Sequence, residues 1–168
     1  VEITDADLDN DTYESAEKQY LQNDSKQAIA ALSSYVAKFP SGIHSLKANF
    51  YLAQAYFGER LTENAIPHYE FVVAKPRNEY TEQALARLGE IYIKKSDAVA
   101  PAIAALKRLE AEADFPQNVV FAQSNLMKIY YEQKDYANAV VYAEKVLANP
   151  KMDSAVKSDA QIIVARSA

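Results

Sequence analysis

Residues 51–76 read YLAQAYFGERLTENAIPHYEFVVAKP, and this stretch decides the fold. Its apolar residues recur at spacings of three and four, which is typical of helices that bury one face. Leu52 and Tyr56 mark the apolar face of a first helix, and Ala65 and Tyr69 mark that of a second. The stretch therefore predicts two helices joined by a short turn.

The same pattern occurs four times along the 168-residue chain. Its alanine stands at positions 28, 65, 102 and 139, so it recurs every 37 residues. A tyrosine precedes each alanine, at Tyr20, Tyr56, Tyr92 and Tyr130. A proline, which cannot continue a helix, is expected to close each second helix, at Pro40, Pro76, Pro116 and Pro150. A repeat of this period is the signature of stacked helical pairs.

The repeat predicts an all-α fold, a right-handed α-solenoid of about four helix-turn-helix repeats plus one trailing helix. The predicted repeats are residues 11–40, 45–76, 79–116 and 118–150, with a partial fifth at 154–168. The predicted helices are 11–23, 25–39, 45–60, 62–75, 79–95, 100–114, 118–134, 136–149 and 154–168. Residues 1–10 lack the periodicity and are interpreted as an acidic lead-in. Residues 11–168 are interpreted as one solenoid domain, which we expect to be a fragment of a longer chain.

Local signals refine the helix ends. Asp24-Ser25, Leu61-Thr62 and Lys134-Asp135 each offer a capping side chain just before a second helix, where backbone N–H groups need acceptors. Pro101 is expected at the first helical position of its helix, which its fixed φ suits. Pro67 lies inside a predicted helix, so a late helix start or a slight bend is expected there.

Residues 52–56 (LAQAY), 88–92 (LGEIY) and 126–130 (LMKIY), each followed by the spaced alanine and a proline, resemble the tetratricopeptide repeat. The resemblance covers roughly residues 11–168. It implies small residues where the two helices of a repeat touch, as at Gly89 with Ala102. Two other pairs depart from this pattern, Met127 opposite Ala139 and Glu17 opposite Ala28. We therefore expect looser packing in the fourth repeat and in the first.

The turn at residues 39–45 (FPSGIHS) resembles turns in bacterial envelope proteins of this repeat type, namely the outer-membrane assembly lipoprotein and the accessory protein of the Tol-Pal system. This resemblance implies a location in the bacterial periplasm or at the outer membrane, with the cytoplasm as the alternative. It also implies other envelope proteins as partners.

Composition disfavours several classes of partner and excludes some chemistry. The formal net charge is −5, so the chain lacks the basic footprint expected of a nucleic-acid binder. No apolar run approaches the roughly 20 residues that cross a bilayer, so no membrane insertion is expected. The absence of cysteine removes disulfides and thiolate chemistry. The three glycines are not clustered, so no phosphate-binding loop is predicted.

The titratable residues do not form a catalytic pattern. His44 is interpreted as a turn residue and His68 as lying on the outer side of a second helix, without carboxylates at metal-ligand spacing. Two carboxylate pairs are expected on solvated faces, Glu14 with Glu17 and Glu110 with Glu112. We therefore predict no catalytic residue, no metal and no cofactor. We expect that the protein is not an enzyme.

The aromatic content indicates a binding surface. Twelve tyrosines and six phenylalanines exceed the needs of the repeat core. In such arrays the first helices line a concave face, and rigid aromatics there can bind a peptide or a partner helix. The predicted surface consists of Lys47, Phe50, Tyr51, Gln54, Phe57, Arg87, Glu90, Phe121, Asn125, Lys128 and Tyr131.

Other interpretations stay open. The aromatics can instead complete packing between repeats, and the array can serve as an architectural spacer within a larger multi-repeat envelope protein. A third alternative is an enzyme or carbohydrate-binding accessory whose site lies in another part of the chain. Capture of a terminal carboxylate by Lys and Asn pairs, as in peptide-clamp members of the family, is not expected. The matching places here hold Glu14, Lys18, Tyr51, Gln83 and Arg87.

The last predicted helix ends the chain with an unusual run. Ile162, Ile163 and Val164 cannot all turn toward the fourth repeat, so at least one is expected where a further second helix would pack. We therefore expect residues 154–168 either to self-associate weakly or to continue into a fifth repeat.

Overall fold

The structure is a computed structural model that describes residues 2–168. These residues form nine α-helices and no β-strand. The helices are α1 (Asp5–Leu21), α2 (Ser25–Lys38), α3 (Ser45–Gly58), α4 (Thr62–Ala74), α5 (Thr81–Ile93), α6 (Val99–Glu112), α7 (Pro116–Glu132), α8 (Tyr136–Ala148) and α9 (Ser154–Arg166). The all-α helical-repeat fold is thus confirmed. No helix within residues 2–168 is long and apolar enough to cross a membrane.

The part of the chain that the structure describes divides within α5 into two compact units, one up to Ala84 and one from Leu85 to Ala168. In the first unit, α2 packs against both α1 and α3, and α4 packs against α3. In the second unit, α7 packs against α6 and α8, and α9 packs against α8. These helices thus pack on their neighbours in sequence, as in a helical repeat. The right-handed sense and a single solenoid over residues 11–168 stay predictions.

The spaced alanines lie in the core of their units. Ala28, Ala65, Ala102 and Ala139 are each at most 1% exposed. Each stands in the first turn or so of a second helix, where a small side chain lets two helices approach closely. Larger core residues follow one and two turns later, such as Leu32 and Tyr35 after Ala28, and both are fully buried. The register predicted from the 37-residue spacing is confirmed.

Two of the three predicted caps are confirmed. Asp24 accepts a hydrogen bond from the backbone N–H of Gln27 at 3.2 Å, and Asp135 accepts one from that of Asn138 at 3.2 Å. The prediction for Leu61-Thr62 is wrong, because Leu61 takes the N-cap position, and its side chain has no group that could cap the helix.

The prolines follow the prediction in part. Pro40, Pro76 and Pro150 each stand two residues beyond the end of a second helix. The prediction for Pro116 is wrong, because it opens α7, where its missing N–H costs no helical hydrogen bond. Pro101 is the third rather than the first residue of α6, still within the first turn, where backbone N–H groups have no intrahelical acceptor. Pro67 lies inside α4, and that helix begins at Thr62, so the expected late start is wrong.

The prediction of a non-helical lead-in over residues 1–10 is wrong from Asp5 onward. Thr4 and Asp7 form a capping box in which the Thr4 hydroxyl accepts from the Asp7 N–H and the Asp7 carboxylate accepts from the Thr4 N–H, both at 3.1 Å. Asp9 then takes a core position. It is buried, and its carboxylate accepts the Tyr35 hydroxyl at 2.5 Å and the Ile43 N–H at 3.1 Å. Aspartate is not counted in an apolar pattern even when it is buried, so the spacing of apolar residues did not predict this part of α1.

The expectation of loose packing in the fourth and first repeats is also wrong. Met127 and Ala139 are both fully buried in the second unit. In the first unit, Ala16 and Ala28 are the small residues, each 1% exposed. Glu17 is half-buried instead and directs its carboxylate to other side chains, described below.

Gly42 lies in the turn between α2 and α3, against the buried Asp9 and Tyr35. A Cβ at this position would lie 2.5 Å from the Tyr35 hydroxyl oxygen, 2.6 Å from an Asp9 carboxylate oxygen and 2.9 Å from the Cβ of Phe39. These distances are shorter than van der Waals contact. The φ angle of Gly42 is not positive, so space rather than backbone conformation requires glycine.

We predict that Gly42→Ala lowers the free energy of unfolding by about 1–3 kcal/mol, because the added methyl group displaces a buried hydrogen-bonded pair. Gly58→Ala is the matched control, since a Cβ there meets nothing within 4 Å. The control is expected to leave the stability unchanged or slightly raised. Urea titration of both variants measures this, and equal midpoints would contradict the account of the turn.

Candidate functional site

The predicted binding surface is divided between the two units, and each part is described separately. The α3 patch comprises Lys47, Phe50, Tyr51, Gln54 and Phe57 in the first unit. The α7 patch comprises Arg87 and Glu90 on α5 and Phe121, Asn125, Lys128 and Tyr131 on α7, in the second unit. A groove common to both patches stays a prediction.

Tyr51 of the α3 patch is held between two neighbouring side chains. Its ring stacks on Tyr20 of α1, with ring centroids 4.2 Å apart and an interplanar angle of 10°. The Lys47 ammonium lies 5.7 Å from the Tyr51 ring centroid and 3.4 Å from a Glu17 carboxylate oxygen. Tyr51 is half-buried, so part of a fixed ring remains accessible. This arrangement joins the first helices of two consecutive repeats.

Glu17 connects this patch to the core, so its expected place on a solvated face is wrong. Its carboxylate accepts the Tyr13 hydroxyl at 2.6 Å as well as pairing with Lys47. The hydrogen bond from Tyr13, together with Lys47, lowers the pKa of Glu17. Burial, followed by the bond to Glu17, raises the pKa of Tyr13. Glu14, the other member of the pair, is exposed as expected.

Phe50 does not lie on an accessible surface, in contrast to the prediction. It is 5% exposed, stacks on Tyr80 at 4.5 Å between ring centroids and meets Tyr69 edge-on at 6.3 Å. For this residue the alternative interpretation, that the aromatics complete packing, is correct. Gln54 is half-buried, accepts the Tyr69 hydroxyl, and lines a cavity of about 320 Å³ between α1, α2 and α3. Phe57 is half-buried.

The α5 part of the α7 patch is held by local contacts. Arg87 and Glu90 form an ion pair at 3.3 Å one helical turn apart, and both are half-exposed. Phe121 of α7 packs over Gly89 of α5. Its ring is 3.4 Å from the position that a Cβ of Gly89 would take. Asn125 donates a hydrogen bond from its side chain to the Phe121 carbonyl at 2.9 Å.

Gly89 is the small residue at a close contact of α5 with α6 and α7. The atoms nearest to its missing Cβ belong to Leu106, at 2.9 Å, and to Phe121. The small residue therefore makes room for two large side chains. Its expected pairing with Ala102, which is 1% exposed in the same unit, stays a prediction.

Lys128 and Tyr131 border a groove of about 290 Å³ between α7 and α9, which we call the α7/α9 groove. Its lining residues are Lys128, Tyr131, Glu132, Asp159, Ile162, Ile163 and Arg166. Ile162 is 48% exposed and Ile163 is buried, so the run is not wholly buried. That an isoleucine lies where a further second helix would pack stays a prediction. The exposed isoleucine lies beside α7, in the groove. The three- and four-residue spacing of Asp159, Ile162 and Arg166 was the signal that could have indicated this surface.

Both histidines contact side chains of neighbouring helices. His44 precedes α3 as expected for a turn residue, stacks on Tyr13 at 4.1 Å, and its Nε2 lies 2.8 Å from the Asn10 side-chain oxygen. The expectation that His68 faces outward is wrong. It is half-buried, its Nδ1 lies 2.8 Å from the Asn49 side-chain oxygen of α3, and burial lowers its pKa.

The second carboxylate pair also differs from the prediction. Glu110 is half-buried, accepts the Gln123 side-chain N–H at 2.9 Å and pairs with Lys145 at 3.4 Å, so it links α6 to α7 and α8. Glu112 pairs with Arg108 at 2.6 Å. Within residues 2–168, no three His, Asp or Glu side chains are placed together to hold a metal ion.

Residues 13–42 match the tetratricopeptide repeat family. The matched segment comprises the second half of α1, all of α2 and the start of the following turn, and it contains Glu17 and Tyr20 beside the α3 patch. This is one of the two repeats in which the sequence pattern predicted loose packing. A search of curated proteins gave no match to this chain.

We predict that His68 makes stability depend on pH. Because its folded pKa lies below its ordinary value, the unfolded chain binds the proton more readily. The free energy of unfolding should therefore fall as the pH drops from about 7 to about 5. His68→Gln, a neutral residue that can still bond to Asn49, should flatten this part of the profile. Urea titration across the range measures it, and identical slopes for the two proteins would refute the assignment.

Proposed function

We propose that this protein is a non-catalytic interaction module that binds a peptide or a helix of a partner protein on its first-helix faces. Tetratricopeptide repeats generally mediate protein–protein interaction, and the family match includes residues of α1 beside the α3 patch. The observation that carries the proposal is Tyr51, fixed between Tyr20 and Lys47 with part of its ring accessible.

Pre-organisation makes this patch suited to binding. A ring already held by stacking loses little conformational entropy when a partner covers it. Aromatic anchors of this kind dominate the energetics of many interfaces. Lys47 adds a cation that is 41% exposed on its side chain and only partly neutralised by Glu17. The partner expected from this chemistry presents an apolar side chain to Tyr51 and a carboxylate to Lys47.

The architectural spacer is the second candidate. Phe50 favours it, because an aromatic predicted to bind is instead consumed by packing against Tyr80 and Tyr69. Phe121, packed over Gly89, favours it in the second unit. The spacer differs from the proposed module in one measurable respect, since its α3 patch binds no peptide.

A bacterial envelope location belongs to the proposal as well. It is supported by the likeness of residues 39–45 to turns in envelope proteins, and the proposed partners are then envelope proteins rather than nucleic acids. Fractionation of the native cells tests the location. Recovery with the periplasm or outer membrane supports it, and recovery only in the cytoplasm contradicts it.

Selection of displayed random peptides on the immobilised protein tests the binding function. Peptides selected on the native protein should lose at least about tenfold in affinity, or about 1.4 kcal/mol, toward Tyr51→Ala. Lys47→Glu should lower the affinity for acidic peptides, although Tyr51 is still present in this variant. Circular dichroism and urea titration check that both variants fold.

Phe115→Ser serves as the matched control, because Phe115 is 64% exposed just before α7 and belongs to neither patch. Its affinity for the selected peptides should equal that of the native protein. A library that yields no binder supports the spacer. Binders that are indifferent to both Tyr51 and Lys47 place the binding surface elsewhere and contradict the proposal.

A further inference from the structure

The α7/α9 groove has an apolar centre and a charged rim. Ile162 is 48% exposed at the centre, beside the half-exposed Tyr131 and above the buried Ile163. Single exposed apolar residues are ordinary on protein surfaces. This one lies in a concave site between two helices, where a second side chain could cover it.

The rim carries two cations and two anions. Lys128 and Glu132 lie on α7, and Asp159 and Arg166 lie on α9. In the part of the chain that the structure describes, none of these four side chains forms an ion pair. The groove therefore presents four charges that remain available to a binding partner.

The order of these charges is opposite on the two helices. Short turns join α7 to α8 and α8 to α9, so α7 and α9 run in the same direction. Along α7 the cation comes first, and along α9 the anion comes first. On α9, Asp159 and Arg166 lie three residues before and four residues after Ile162, or about 4.5 and 6 Å along the helix axis. Ile162 is thus near the midpoint of its charge pair.

This pattern is self-complementary. If a second copy faces the groove, related by a twofold axis that crosses the helices at the level of Ile162, α9 lies antiparallel to α9 of the other copy. Asp159 of each copy then faces Arg166 of the other. Lys128 likewise faces Glu132 where the same axis passes between these two residues, because α7 then pairs with α7 of the other copy. Twofold interfaces require such a surface, since the same patch contributes to both sides.

We infer that the α7/α9 groove is a self-association surface, in which two copies pack groove to groove and bury Ile162 against Ile162. A ligand of a single charge sign would meet two like charges on the rim, which disfavours it relative to a second copy. The apolar centre is far smaller than the area that a stable dimer buries, so the association is weak. Its four ion pairs are at the edge of the interface, so added salt weakens it further. The inference goes beyond the proposed function, because it does not use the α3 patch.

Sedimentation velocity from micromolar to millimolar concentration tests the inference. The native protein should shift toward a dimer with rising concentration, and added salt should reverse the shift. Ile162→Asp should remain monomeric throughout. Val141→Asp is the matched control, because Val141 is 46% exposed on α8 outside the groove, and it should associate like the native protein. Circular dichroism establishes that each variant is folded.

Charge reversal tests the arrangement. Asp159→Arg should abolish association, and the double variant Asp159→Arg, Arg166→Asp should restore it, because the reversed pair is again complementary across the twofold axis. A native protein that stays monomeric at every concentration would overturn the inference. Three results with the variants would also overturn it: association that survives Ile162→Asp, association that is equally lost in Val141→Asp, and association that the double reversal does not restore. A monomeric protein whose groove variants lose displayed peptides would assign the groove to a different partner. Peptide binding through Tyr51 is measured separately, so the two proposals can fail independently.

Discussion

The close contact between paired helices is the constraint on which the rest of the structure depends. At the four alanines spaced by 37 residues, a larger side chain would hold the helices of a repeat apart. Once the helices meet there, larger residues such as Leu106 and Tyr69 fill the space on either side and become fully buried. The same contact fixes which faces of the first helices remain accessible, and Tyr51 and Tyr131 are both half-buried rather than enclosed.

Helix number and register could be predicted because they follow from local spacing. The alanine interval located every second helix, and Asp24 and Asp135 located two of their starts. The features that could not be predicted depend on contacts with residues distant in the sequence. Asp9 occupies a core position because Tyr35 and Ile43 satisfy its carboxylate, and no apolar pattern can include such a residue. Pro116 was assigned to the end of one helix and opens the next, since proline suits both places.

The candidate surface shows the same limit at the level of single residues. Phe50 and Tyr51 are adjacent on α3, yet one is buried against Tyr80 and the other remains partly accessible on Tyr20. Spacing placed both on the same face, and only the neighbouring helices distinguish them. Polar residues considered for chemistry, such as Glu110 and His68, are instead bonded to side chains of neighbouring helices. The groups that remain accessible are aromatic, aliphatic and of mixed charge, which suits the recognition of another protein.

The stability of Ala102→Leu tests the central claim most directly. Ala102 is 1% exposed in the second unit, whereas Ala104, two residues along the same helix, is exposed and serves as the matched site. The account predicts that Ala102→Leu lowers the free energy of unfolding by about 1–3 kcal/mol, because added methylenes must enter the helix contact. Ala104→Leu should change it by no more than about 0.5 kcal/mol. Equal free energies of unfolding for the two variants would contradict the claim that the spaced alanines set the helix contacts.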